Sequence, residues 1–245
     1  MKLRLSKLTV TTLITVALLF ASSCKTGPDL SDLNKPTPSN TKTSAKEQEL
    51  SGVYKVSGSN ENSGRPYEGS LTIDNKEAGY RFNWKTNLDK YYGSGVQTGD
   101  AVAVSFADAA YGNGCGVALY KIASDGTLEG KIANWGEYSF GMETATRLEG
   151  DGFEGKYAVN GKTNYGREYK GTIEIKKNGS GYQVTWRTGA DFTGFGIWRG
   201  DRAAISFGGV QCSFALFQVK PNGDFDGRWG GQRTVAFGSE TAKRQ

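Results

Sequence analysis

Gly79-Tyr80-Arg81-Phe82-Asn83-Trp84 sets three rings on alternate positions with polar side chains between them. A period of two over six residues marks a half-buried β-strand. The stretch returns downstream as Gly181-Tyr182-Gln183-Val184-Thr185-Trp186. Working outward from this pair, Gly52-Val53-Tyr54-Lys55-Val56-Ser57-Gly58 returns as Gly155-Lys156-Tyr157-Ala158-Val159-Asn160-Gly161. Arg65-Pro66-Tyr67-Glu68-Gly69 returns as Arg167-Glu168-Tyr169-Lys170-Gly171. Further on, Cys115 with Ala118-Leu119-Tyr120 returns as Cys212 with Ala215-Leu216-Phe217, and Gly141-Met142-Glu143-Thr144 as Gly238-Ser239-Glu240-Thr241. The offset falls from 103 to 97 as small loops shorten. Self-similarity of this kind is a duplication, and it defines repeat 1 over residues 51–148 and repeat 2 over 153–245.

Alternation continues within each copy. Leu71 and Ile73 alternate with Thr72 and Asp74, and Val102, Val104 and Phe106 alternate with smaller residues. Turn signals recur every 8–12 residues, among them Thr98-Gly99-Asp100, Ser124-Asp125-Gly126, Asn178-Gly179, Arg199-Gly200-Asp201 and Asn222-Gly223. No helical stripe follows residue 50. The reading is all-β, with two tandem antiparallel meander domains, each of about eight short strands closing into a small calycin-like barrel. Closure removes exposed strand edges, and the 35 glycines suit small barrels that bend sharply. Two-sheet sandwiches, or one larger sheet built jointly from both copies, are the alternatives.

Ahead of the repeats, residues 1–23 have the parts of an export signal. Lys2, Arg4 and Lys7 precede an apolar run from Leu8 to Phe20, too short to span a bilayer comfortably. Ala21-Ser22-Ser23-Cys24 then resembles a relaxed bacterial lipobox, which makes Cys24 the expected lipidation site. Several acyl chains there would anchor stably. Residues 24–50 are polar and rich in Pro, Ser, Thr and Lys, and read as a disordered tether. A flexible coil of that length spans roughly 28 Å.

Composition narrows the chemistry. The chain has 245 residues and no histidine, which removes His-based general bases, Ser-His and Cys-His nucleophile pairs, and the commonest metal ligand. No CxxC pair stands in for it, so no metal, no cofactor and no catalytic residue is expected, and the chain reads as a non-enzyme. The formal charge of +5 divides unevenly, at −3 over residues 51–150 and +6 over 154–245. A basic second copy suits acidic partners such as a sulfated glycan, or is simply a solvated face.

Several residues stand out as candidate contacts. Trp84 and Trp186 occupy matched inward positions, either as core or as the floor of a ligand cavity. Trp198, Arg199 and Arg202 flank a turn where copy one has Gln97, Thr98 and Ala101, and an exposed Trp–Arg pair has hot-spot composition. Arg167 and Tyr169 belong to the repeated Arg-x-Tyr motif. Glu143 and Glu240 match, and are expected to make a structural hydrogen bond or ion pair near the last strand. The Gly-x-Gly triplets at 93–95 and 194–196 open no helix, so they read as strand kinks and not as phosphate loops. Cys115 and Cys212 can form a disulfide only if the copies meet near a pseudo-two-fold axis; otherwise both are small buried residues.

Taken together, the motifs G-x-Y-x-V-x-G, R-x-Y-x-G, G-Y-x-x-x-W and G-x-E-T resemble a short repeat of bacterial exported proteins, some labelled fibronectin-binding protein. With the leader, the chain resembles a spirochaete-type surface lipoprotein. The resemblance covers residues 52–144 and 155–241, and its motif residues specify a fold better than a site. It implies an outer-membrane lipoprotein at the cell surface, held by its lipid and adhering to a host matrix protein such as fibronectin or to an acidic glycan, with no nucleic-acid partner. The alternatives are a carrier of a small apolar ligand in the barrel interior and a purely structural envelope lipoprotein.

Overall fold

The computed structural model describes residues 47–76, 79–108, 114–137 and 139–245. The leader, Cys24 and most of the expected tether lie outside them, as do Tyr111, Gly112 and Asn113. Copy one supplies β1 (Gly52–Ser59), β2 (Pro66–Lys76), β3 (Gly79–Thr86), β4 (Lys90–Thr98), β5 (Ala101–Asp108), β6 (Gly116–Ile122), β7 (Leu128–Asn134) and β8 (Gly141–Glu149). Copy two supplies β9 (Gly155–Lys162), β10 (Glu168–Asn178), β11 (Gly181–Arg187), β12 (Asp191–Arg199), β13 (Arg202–Phe207), β14 (Ser213–Val219), β15 (Phe225–Gly230) and β16 (Gly238–Arg244). Each copy thus has eight strands, and the turn motifs fall between them.

The strands close into two eight-stranded antiparallel barrels, but the barrels do not coincide with the copies. The first barrel runs β1-β16-β15-β14-β5-β4-β3-β2 and the second β10-β11-β12-β13-β6-β7-β8-β9. Each takes five strands from one copy and three from the other. The exchange happens at β5, which pairs with β14 (Phe106 opposite Ser213), and at β13, which pairs with β6 (Phe207 opposite Gly116). These two pairings are equivalent under the duplication. The copies therefore meet about a pseudo-two-fold axis, and matched residues touch across it: the Ser105 and Ser206 hydroxyls share a hydrogen bond. Cys115 and Cys212 are joined as a disulfide, with Cα atoms 5.7 Å apart.

The buried apolar residues among those described form four clusters, the smallest of them Ala107 with the disulfide pair. One fills the first barrel around Tyr54, Leu71, Phe82, Val104 and Phe217. Another fills the second around Tyr120, Tyr157, Ile173, Val184 and Trp186. A third, with Ala101, Ala103, Leu119, Ala204 and Leu216, lies between the barrels. The small residues that alternate with Val102 and Val104 are therefore buried too: they form the face that lets β5 approach the other barrel. Burial of both faces makes β5, β6 and β13 read as nearly continuous apolar runs.

Each barrel is plugged at one end by the residue four before the first tyrosine of the copy that supplies five of its strands. Tyr54 donates its hydroxyl proton to the Leu50 carbonyl at 2.7 Å, and Tyr157 does the same to the Phe153 carbonyl at 3.0 Å. Arg244 and Arg147 lie over these two tyrosine rings at 5.6 and 5.5 Å. Leu50 is 1% exposed, and Glu47 pairs with Lys131 at 3.1 Å. The last four residues read as tether therefore belong to the fold, because Leu50 supplies the apolar plug that its polar neighbours conceal in the sequence.

Candidate functional site

Opposite the Leu50 plug, the first barrel opens on a cavity of about 40 Å³. Its wall is aromatic: Tyr67 from β2, Trp84 from β3, Tyr91 from β4, Phe106 from β5 and Trp229 from β15. The rings brace one another, with Trp84 and Phe106 at 5.4 Å, Tyr91 edge-on to Phe106 at 6.0 Å, and Phe106 edge-on to Trp229 at 5.9 Å. Glu240, from β16, is the one carboxylate in that lining. It is 5% exposed and accepts hydrogen bonds from the Tyr67 hydroxyl (2.7 Å) and the Trp84 indole N–H (3.0 Å). Burial pushes its pKa up to about 7, against the opposing pull of those two donors.

Glycine makes this arrangement possible. A Cβ at Gly58 would meet the Tyr67 ring at 2.6 Å, so only glycine there lets the phenol lie across β1 and reach Glu240. The glycines of the first Gly-x-Gly triplet also make room for a ring. Gly93 and Gly95 lie inside unbroken β4, where a Cβ at Gly95 would strike the Phe82 ring at 2.5 Å.

The rim is pinned by side chains. Thr86 Oγ1 accepts from the Leu88 and Asp89 amides and holds the β3–β4 turn. Glu61 accepts from the Gly231 amide at 3.0 Å, and Asn62 from the Val235 and Ala236 amides at 2.8 and 3.1 Å, so the β1–β2 and β15–β16 loops are locked together. The site is preformed.

The second barrel repeats the plan and fills it. Glu143 accepts from Tyr120 (2.6 Å), Tyr169 (2.8 Å) and Trp186 (3.3 Å). Burial raises its pKa, opposed by all three donors. Phe192, at the place of Tyr91, stacks on Trp186 with centroids 4.7 Å apart and planes 7° from parallel. Ile132 replaces Trp229 across from a glycine. Above this plug lies an open groove bordered by Lys162, Arg167, Tyr169, Lys170 and Phe192.

The residues singled out in the sequence are scattered. Trp84 lines the first cavity, whereas Trp186 is 1% exposed core of the second barrel. Tyr169 holds Glu143, and Arg167 is exposed on the groove. Trp198 is not an exposed ring: it packs on Phe153 at 5.6 Å and Tyr182 at 6.1 Å, closing the plugged end of the second barrel. Its indole N–H donates to the Gly200 carbonyl. Arg199 is exposed beside it, and Arg202 pairs with Asp201 at 2.6 Å, so its charge is already engaged. The expected exposed Trp–Arg patch is absent because the indole is the third wall of a structural aromatic cluster.

The charge asymmetry also dissolves. The segments forming the first barrel, residues 51–113 and 213–245, carry 11 cations and 10 acids, and the second barrel, residues 114–212, carries 12 and 11. Strand exchange mixes the copies, so each barrel is at +1 and neither is the basic partner.

Glu240, Tyr67, Tyr91, Phe217 and Trp229 were not read as site residues. The signal was present in the repeat comparison: Tyr120 corresponds to Phe217 and Ile132 to Trp229, and each difference falls on the cavity. Comparison with protein-family models, with curated proteins and with solved structures finds no match, so what the cavity beside Glu240 can do is read from its own geometry.

Proposed function

We propose that the chain is an exported, membrane-tethered binding protein that takes a small ligand, without chemical conversion, at the mouth of its first barrel. The observation that carries this reading is the difference between two barrels of common plan. One fills its mouth with Phe192 stacked on Trp186; the other keeps a cavity walled by aromatic rings beside a buried carboxylate. Small-ligand sites are concave and largely apolar, with a few fixed polar groups, and this lining has that character. The barrel interior below it is packed with side chains, so a ligand is held at the mouth and not carried deep inside.

The chain enters the first barrel at Leu50, at the end opposite the cavity. Matrix adhesion through a basic second copy draws no support from the charge distribution, since the barrels carry equal charge.

A fragment screen by ligand-observed NMR on the full-length chain tests the proposal. Hits are expected, and Leu88→Trp, which fills the mouth, is expected to abolish them. Hits that persist in that variant, or no hits with the folded protein, refute it.

A further inference from the structure

We infer that the group received beside Glu240 is a protonated amine. The inference rests on the mouth-site reading and deepens it by naming the chemistry of the ligand.

The first argument is a missing donor. A carboxylate offers about four acceptor positions. Glu143 has three filled by side chains; Glu240 has two. The third is missing because Phe217 stands where the second barrel has Tyr120. The two rings are equivalent in detail: Tyr120 faces Gly130 across its strand pair and Phe217 faces Gly227, and in both cases a glycine Cβ would collide with the ring. Phe217 borders the cavity. The first barrel thus lacks one hydroxyl and has open space next to the vacancy. A donor on a ligand can take the place of that hydroxyl.

The second argument selects the donor. Tyr67, Trp84, Tyr91, Phe106 and Trp229 present ring surface to a cavity that contains one carboxylate. Ring faces attract cations, and the attraction grows when water is excluded. An ammonium group satisfies the vacant acceptor position, neutralises a carboxylate that is costly to bury alone, and contacts the rings. A neutral alcohol fills the vacant position, and its oxygen can accept from the Trp229 indole N–H, which has no partner among the described residues, but it neither neutralises the carboxylate nor brings charge to the rings; an anion is repelled by Glu240. About 40 Å³ admits a headgroup, with any alkyl tail leaving past Leu88.

An ammonium of this kind is offered by a free alkylamine or by a lysine side chain on another protein. Isothermal titration calorimetry on the full-length chain tests the shared chemistry with three probes: n-butylammonium, 1-butanol and Nα-acetyl-lysine amide. Saturable binding of butylammonium is expected, with butanol weaker by about tenfold or more. Phe217→Tyr, which restores the missing hydroxyl, and Glu240→Gln are each expected to weaken butylammonium by about tenfold or more while near-UV circular dichroism stays native. The two variants back each other should one fail to fold. Butanol binding as tightly as butylammonium, with both lost in Leu88→Trp, overturns the ammonium inference and leaves the mouth site standing. Unchanged butylammonium binding in folded Phe217→Tyr also overturns it. No binding of either small probe to the folded wild type overturns the inference, and the fragment screen then decides the mouth-site reading separately. Binding of the lysine probe assigns the source to a protein, and binding of butylammonium without it assigns a free amine; both leave the chemistry standing.

Discussion

Replacing Glu240 by glutamine removes a titrating group from the wall of the first barrel while nearly preserving its shape. In the folded protein Glu240 titrates near 7, against an ordinary value of 4.5, because burial disfavours its charged form. The folded state therefore binds this proton more tightly than the unfolded chain. Stability from this residue is fully present below about pH 4.5, declines as pH rises, and is lost above about 7. A gap of that size corresponds to about 3 kcal/mol. Glutamine cannot ionise, so the variant lacks this slope. It carries a separate, pH-independent cost of about 1 kcal/mol, since one amide oxygen replaces two carboxylate oxygens under Tyr67 and Trp84. Urea unfolding followed by tryptophan fluorescence at pH 5 and pH 8 measures both. Between these values the wild type should lose about 2–3 kcal/mol more than Glu240→Gln. The two curves moving in parallel would mean that Glu240 is already ionised at pH 5, and that the two donors outweigh burial.

Three further outcomes follow from the fold. The disulfide closes a loop of 97 residues. Cys115→Ser with Cys212→Ser should therefore lower stability by about 5 kcal/mol on chain-entropy grounds, read as a shifted urea midpoint. Leu50→Ala should cost about 3 kcal/mol by emptying the plug under Tyr54; a change near zero would return Leu50 to the tether. A protease site inserted at Asp151, between β8 and β9, should after cleavage under reducing conditions leave two halves that co-elute in size-exclusion chromatography, because each barrel uses strands from both. Halves that separate would contradict the exchange.

Much of this architecture was legible in the sequence. Alternation in Gly79–Trp84 and its return at Gly181–Trp186 mark the strands, and the count of eight per copy suits closed barrels. The partner of each strand at the junction was not legible. In a duplicated chain β6 and β14 present equivalent pairing edges, Val117-Ala118-Leu119-Tyr120 and Phe214-Ala215-Leu216-Phe217. Nothing local tells β5 which to take. The exchange then moves charge between units, which is why a basic copy does not become a basic barrel. The site was half legible. Matching Glu143 with Glu240 marked the carboxylates, and Trp84 was weighed as a cavity floor. The wall itself comes from five strands, and its openness depends on three substitutions between copies, Tyr120 to Phe217, Phe192 for Tyr91 and Ile132 to Trp229, whose meaning requires knowing that they converge. Leu50, a lone apolar residue beside Glu49 and Ser51, shows its burial only in three dimensions, and so does Trp198, whose ring partners Phe153 and Tyr182 lie elsewhere in the chain.

The account turns on the claim that one barrel mouth receives a ligand and the other does not. The indole N–H of Trp84 is bonded to Glu240, and that of Trp186 to Glu143. A titration of the ¹⁵N-labelled full-length chain with n-butylammonium, followed at these two indole resonances, compares the mouths within one molecule. A saturable shift of the Trp84 resonance with Trp186 unmoved is the predicted result. Equal shifts of both, or movement of Trp186 alone, would contradict it.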